Sequence, residues 1–332
     1  MTIKQALNKA VEKLKLFKIK NSHLDAEILL SYILKKPREY ILAHPEEKLT
    51  KSQISNIQYL ISRRNKNEPI AYLTGHKQFY GLDFLVNKHV MIPRPETELM
   101  VGEAINQITH NMKNLTFIDV GTGSGCIIIT IAKLLQATSY KLQANFLATD
   151  ISKPALTIAR KNAKLHKIDK KITFYQDNLL KPVINKLSNV NCQMPARQYQ
   201  PMAGGSIVIT ANLPYLTPAQ IKNSPTIKYE PKLALDAGPD GLKYYRQLFK
   251  QIHKLQIADL PASRFRSKRW QAGCRLQIII EIDPSQTIKI KQLAKKELFT
   301  HYSISEGGTK SKIQIKKDLS GLNRLIIITY NI

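Results

Sequence analysis

Four residues, Asn212-Leu213-Pro214-Tyr215, close the apolar run Ile207-Val208-Ile209-Thr210-Ala211, so a buried strand carries an amide, a rigid backbone and an aromatic ring to one point. Such a set suits the methylation of a planar nitrogen. The lone pair of an amide or aromatic amino nitrogen is delocalised, and no side chain removes its proton at neutral pH, so the group has to be held in place. The Asn212 oxygen and the Leu213 carbonyl would accept its two N–H bonds, with Pro214 stiffening the turn and Tyr215 on the flat face. The same four residues also suit an ordinary strand-end turn, where Asn and Pro are common.

A second constellation lies upstream, again at the end of an apolar run, Leu115-Thr116-Phe117-Ile118-Asp119-Val120. There the chain reads Gly121-Thr122-Gly123-Ser124-Gly125-Cys126 and passes into a helical stretch from Ile127 to Gln136. Strand, glycine-rich turn and helix in that order form a nucleotide-type cofactor loop, because glycines admit a ligand close to the backbone and a helix start offers free N–H donors. A dinucleotide fingerprint would need glycine where Cys126 stands, and a P-loop would need a lysine that is absent. Asp119 would sit badly beside a pyrophosphate but suits the ammonium group of S-adenosylmethionine (SAM). The next apolar segment ends in Asp150, placed to accept both hydroxyls of an adenosine ribose. A helical stretch from Pro154 to Leu165 and a third strand from Ile172 to Tyr175 follow, and the residues after it, Asp177-Asn178, would flank the adenine.

These residues have to be positioned by a chain of 332 residues, 43% hydrophobic, which is long enough for two domains and a substantial core. No apolar run approaches the roughly 18 residues that span a bilayer, and the N-terminus opens an amphipathic pattern rather than a signal peptide, so a cytoplasmic location is expected. Cys126, Cys192 and Cys274 form no CxxC pair, which argues against a zinc site or a disulfide framework. The formal charge of +27 leaves room for weak nucleic-acid contact, with Arg63-Arg64 and the cluster from Arg264 to Trp270 as candidates, although dispersed surface lysines would produce it too.

The first 65 residues read as helices. Ile3, Ala6, Leu7, Ala10, Val11 and Leu14 recur at helical spacing behind a Thr2/Gln5 capping pattern; a second helix runs from Ser22 and stops before Pro37; a third follows Thr50, with Gln53 completing its cap. Phe79-Tyr80-Gly81-Leu82 and the segment from Phe84 to Val86 suggest a hairpin. In Ile92-Pro93-Arg94-Pro95-Glu96-Thr97-Glu98 the prolines stiffen the backbone around Arg94, and Pro95 suits the first turn of a helix favoured by the two glutamates. The expected organisation is a helical substrate-recognition domain over 1–66, a linker and hairpin over 67–93, and a catalytic domain over 94–332.

The chain resembles the release factor glutamine methyltransferases, the HemK/PrmC family, over nearly its whole length. The likeness rests on Asp25-Ala26-Glu27-Ile28-Leu29-Leu30, Glu68-Pro69-Ile70-Ala71-Tyr72-Leu73-Thr74-Gly75, Phe79-Tyr80-Gly81-Leu82, the Ile92-to-Glu98 run, the glycine loop, Tyr229-Glu230-Pro231, Asp240-Gly241-Leu242 and Asp318-Leu319-Ser320-Gly321. It implies an α/β fold, a seven-stranded, Rossmann-like SAM-dependent methyltransferase sheet with a small N-terminal helical domain. It implies SAM as cofactor and, as protein partner, a release factor methylated on the glutamine of its Gly-Gly-Gln tripeptide, with a monomer as the expected state. By the same resemblance, cofactor contacts fall at Asp119, Gly121, Thr122, Gly123, Ser124, Gly125, Asp150, Asn178, Leu179 and Asn212. The substrate is gripped by Asn212, Leu213, Pro214 and Tyr215, with Phe79 and Arg94 nearby, and no metal takes part.

The chain departs from the family at Leu213, where the motif has proline, and at Asn178, where an acidic residue is expected. Its polar segments 185–205 and 258–273 are longer than usual and are expected to be surface loops. Asn-Leu-Pro-Tyr is also the form typical of rRNA adenine dimethylases, so an adenine amino group in RNA or DNA is the rival substrate. A ribosomal-protein glutamine methyltransferase and a non-catalytic basic RNA-binding module are further alternatives. The helical N-terminus and the Ile92-to-Glu98 run favour the glutamine.

Overall fold

The computed structural model describes residues 1–108, 114–137, 143–188, 206–224, 226–257, 275–299 and 311–331. Helix α1 (Ile3–Leu16) buries the stripe its spacing predicts, and its capping box is closed: Gln5 N donates to the Thr2 hydroxyl at 3.3 Å and Thr2 N to the Gln5 side-chain oxygen at 3.0 Å. Helix α2 (Ser22–Leu34) ends at Lys35 in a left-handed conformation, before Pro37. After the short α3 (Arg38–Ala43) comes α4 (Lys51–Asn65), capped by Thr50 and Gln53, and then α5 (Ile70–Thr74). Apolar faces of α1, α2 and α4 form one cluster. Arg64 at the end of α4 donates to the buried Asp25 of α2 at 2.7 Å, and Arg63 donates to Glu68 at 2.8 Å. Both arginines therefore pair with carboxylates of this helical region.

Strands β1 (His76–Phe79) and β2 (Leu82–Leu85) make the expected hairpin, with Tyr80 and Gly81 both at positive φ, as a two-residue turn requires. A single 3₁₀ turn, Pro95–Thr97, then leads into α6 (Glu98–Gln107).

The rest is a seven-stranded sheet of β3 (Asn114–Val120), β4 (Gln143–Asp150), β5 (Ile172–Gln176), β6 (Ser206–Ala211), β7 (Arg275–Glu281), β8 (Lys312–Lys317) and β9 (Asn323–Asn331), in the spatial order β5-β4-β3-β6-β7-β9-β8. From β5 to β7 the pairing is parallel, whereas β9 runs antiparallel between β7 and β8. Helices cover both faces, which explains why the central strands read as continuous apolar runs. On one face α6 packs with α7 (Cys126–Ala137) and α8 (Lys153–Leu165); on the other, α9 (Lys181–Ser188), α11 (Lys243–Ile257) and α12 (Thr287–Leu298) pack together, while the short α10 (Pro218–Lys222) follows β6. The order reverses between β3 and β6, so their carboxyl ends diverge to leave the crevice where α/β sheets hold ligands.

The hairpin is fastened to this layer by side chains: Tyr80 N donates to Glu98 of α6 at 2.8 Å, His166 Nε2 lies 2.8 Å from the Asp83 carbonyl, and Asn162 makes the most bonds. Fully buried Asn162 of α8 accepts from Leu85 N at 2.8 Å and donates to the carbonyls of Leu85 at 3.0 Å and Ser124 at 2.8 Å. Among the described residues no helix is long and apolar enough to cross a membrane. The segments 189–205 and 258–274, with Cys192, Cys274 and the cluster from Arg264 to Trp270, lie outside the described residues.

Candidate active site

At the carboxyl ends of β3, β4 and β6 a cavity is lined by Gly121, Thr122, Gly123, Ser124, Asp150, Asn178, Leu179, Asn212, Leu213 and Pro214, with Met91, Pro93, Thr97 and Tyr244 among the other residues of its wall. Each strand stops where its side chains cease to pack and hands the chain to a turn. The glycine turn hangs from β4: Gly121 N and Thr122 N both donate to the Thr149 carbonyl at 2.9 Å. Gly123, at φ +55°, would carry a Cβ with nothing nearer than the Gly121 carbonyl at 4.0 Å. Gly125 serves packing instead, because a Cβ there would meet Ile129 Cδ1 at 2.8 Å and Ala159 Cβ at 3.3 Å.

Two carboxylates brace this turn, in different ways. Asp150 accepts from Gly123 N and Ser152 N, each at 2.8 Å, and lines the cavity. Burial raises its pKa, and the Ser152 and Gly123 N–H groups oppose the rise. Asp119 is 1% exposed and stands behind the turn, accepting from the Thr122 hydroxyl at 2.6 Å and the Thr210 hydroxyl at 2.8 Å. Burial pushes its carboxyl up to about 6. Asp119 is not among the lining residues, and its carboxylate ties the turn to β6 through Thr122 and Thr210.

Past β5, Leu179 sits at φ +56°, an unfavourable backbone for a branched side chain, on the cavity wall. Gln251 of α11 holds it there: Leu180 N donates to its side-chain oxygen at 2.7 Å, and its amide donates to the Asn178 carbonyl at 3.4 Å.

At the end of β6, the Asn212 amide nitrogen donates to the Thr97 hydroxyl at 3.1 Å, which in turn donates to Glu281 Oε2 at 2.7 Å. Leu213 is 3% exposed and packs over Gly121, where a Cβ would lie 3.1 Å from its Cδ2. The Tyr215 hydroxyl donates to Glu281 Oε1 at 3.4 Å, and Gln286 donates to the Tyr215 carbonyl at 2.9 Å. Burial raises the pKa of Tyr215 and of Glu281.

Three of the expected substrate residues are not among those lining this cavity. Tyr215 is not among the lining residues, and the aromatic ring on the wall is Tyr244. Phe79 is 1% exposed and packs edge-on against Phe84 with ring centroids 6.2 Å apart, because the inward face of the hairpin belongs to the core. Arg94 pairs with Glu230, whose second oxygen accepts from Ile92 N at 3.1 Å, so the arginine pins the 92–98 run instead of facing the cavity. The sequence reading missed Thr97, Glu281 and Tyr244 as site residues. Thr97 lay inside a singled-out run, but nothing in its spacing tied it to Asn212.

A family model described as the PrmC N-terminal domain matches residues 5–75, and one described as a methyltransferase domain matches residues 111–192. The chain is 36% identical over 250 residues to a release factor glutamine methyltransferase of Moorella thermoacetica, covering 75% of this chain and 79% of that one. A second relative of that name, from Coxiella burnetii, is 38% identical over 224 residues, covering 67% of this chain and 71% of that one. The chain belongs to the release factor glutamine methyltransferase family. Membership makes it a methyltransferase, with the helical N-terminal region characteristic of that family ahead of the sheet. A bifunctional methyltransferase of Rickettsia typhi is 30% identical over 99% of this chain, which spans 57% of that protein's length. Among solved structures, the hMettl16 catalytic domain in complex with MAT2A 3'UTR hairpin 1 covers 91% of each chain at 14% identity and a TM-score of 0.45, too loose a likeness to bear on substrate.

Proposed function

We propose that this chain transfers the methyl group of SAM to the side-chain amide nitrogen of the glutamine in the Gly-Gly-Gln tripeptide of peptide chain release factors. One observation carries the reading: in a member of this family, Asn212 stands on the wall of the cavity that the glycine turn also lines. The cavity fits the cofactor in chemistry. Gly123 leaves open backbone, and each Asp150 oxygen, with one backbone donor bound, keeps acceptor capacity for a ribose hydroxyl. Asn178 and Leu179 would flank the adenine, and the backbone from Gly121 to Gly125 would take the methionine end. When bound, the sulfonium supplies a methyl carbon already activated toward attack.

The protein's task is then alignment. The Asn212 oxygen and the Leu213 carbonyl accept the two N–H bonds of the glutamine amide, which aims the nitrogen lone pair across the cavity. Pro214 restricts the backbone beside them, Tyr244 lines the pocket, and Tyr215 steadies the turn from behind through Glu281. The proton leaves after methylation, when the nitrogen has become acidic, so no general base is needed. The helical domain over 1–66 is assigned to substrate recognition and the region from 94 to catalysis.

The rival adenine substrate draws on Asn-Leu-Pro-Tyr and the +27 charge, but the N-terminal family match and the named relatives favour glutamine. With labelled SAM and separate pools of release factor, ribosomal protein and rRNA, the release factor is the pool that becomes labelled. Asn212→Ala lowers kcat on it by on the order of 10²-fold, as expected when a group that aligns the reacting atom is lost. Wild-type turnover by that variant removes the reading.

A further inference from the structure

The Ile92-to-Glu98 run has no assigned task in the reaction, and Arg94, its charged centre, is spent on Glu230. Thr97, in contrast, is 2% exposed and lies beneath Asn212. An asparagine amide has two rotations that fill the same space, and only one turns its oxygen toward a substrate N–H. Something must choose between them.

Hydrogen-bond direction makes the choice. Glu281, 1% exposed at the end of β7, accepts on both oxygens, from the Tyr215 hydroxyl on Oε1 at 3.4 Å and from the single Thr97 hydroxyl proton on Oε2 at 2.7 Å. The Thr97 oxygen then has only lone pairs left, so the group facing it at 3.1 Å must be the Asn212 NH₂. Turning the amide over would set its oxygen against an oxygen with no proton to give, a buried mismatch costing about tenfold in population or more. We propose that Thr97 and Glu281 are positioning residues that hold the Asn212 amide with its oxygen toward the cavity, so that the site takes a ligand presenting a carboxamide N–H. The 92–98 run is then a device for delivering one hydroxyl to a place 115 residues further along the chain. This inference rests on Asn212 being the group that accepts the substrate amide.

The test uses the full chain, labelled SAM and a release factor. Thr97→Val keeps the shape but removes the hydroxyl; kcat falls about tenfold, SAM affinity and KM stay close to wild type, and the melting temperature falls because buried Glu281 loses a donor. Thr97→Ser restores kcat to within about threefold. On an Asn212→Ala background the valine substitution has no further effect, because there is no amide left to orient. Equal losses in Thr97→Val and Thr97→Ser, or a valine loss that multiplies undiminished onto Asn212→Ala, overturn the inference. If Asn212→Ala leaves no measurable turnover, the valine and serine comparison decides alone. If Thr97→Val does not fold, Glu281→Gln is the second arm, since a glutamine lets Thr97 either donate or accept; kcat then falls about threefold or more, and an unchanged kcat overturns the proposal. Wild-type turnover by Asn212→Ala sinks the amide-grip reading itself, whereas an impaired Asn212→Ala beside a fully active Thr97→Val sinks only the orientation claim.

Discussion

Asp119 places a buried carboxylate where water cannot stabilise its charge, and two threonine hydroxyls compensate only in part. Its pKa stands above the unfolded value, so the folded state binds the proton more tightly, and this residue's contribution to stability declines as pH rises from 3.8 to about 6. A rise of about 2 units at ~1.4 kcal/mol each makes the cost above that window on the order of 3 kcal/mol. Asp119→Asn is uncharged throughout. Denaturant unfolding at a series of pH values is therefore expected to show wild type losing stability relative to Asp119→Asn between pH 4 and 7, and a constant difference would contradict the assignment. At this scale, the places of Gly121, Asp150 and Asn212 on the cavity wall were legible in the sequence because each stands at the end of an apolar run or one residue past it. Side-chain direction was not legible. Asp119 faces two hydroxyls, one of them 91 residues away, and the partnership of Thr97 with Glu281 spans 184 residues, so no local pattern records either.

Among the elements, the long amphipathic helices and the buried strands were found from periodicity, whereas α3 and α5, six and five residues long, are too short to show any. The hairpin was legible too, but which of its aromatics turns inward depends on the layer beneath it. Turns can be as demanding as strands. Gly241, at φ +71°, leaves no room for a Cβ, which would stand 2.1 Å from the Gln286 amide and 2.5 Å from the Tyr215 carbonyl. Gly241→Ala is expected to break the Gln286 bond to Tyr215 and to cost about 2 kcal/mol or more, combining backbone strain with an unpaired carbonyl. A melting curve within a degree of wild type would show that the turn relaxes freely.

Across the whole molecule, polar side chains tie layers that are far apart in sequence. Asn162 joins the hairpin, α8 and the glycine turn through three hydrogen bonds, and removing it strands the N–H and carbonyl of Leu85 and the carbonyl of Ser124. Asn162→Ala is expected to destabilise the fold by about 2–4 kcal/mol and to weaken SAM binding measured by calorimetry, because the turn loses its support from behind. Undiminished affinity in a destabilised variant would confine its role to folding. Strand order was the least legible property at this scale, since apolar runs give strands but not their neighbours. The insertion of β9 between β7 and β8 bears on how the protein is made. Leu325 of β9 pairs with Glu281, so while a ribosome is still short of β9, the strand that ends in Glu281 keeps an open edge. A nascent chain stalled at residue 320 already contains Asn212, Thr97 and Glu281, yet lacks the strand that pairs alongside the carboxylate to which Thr97 donates.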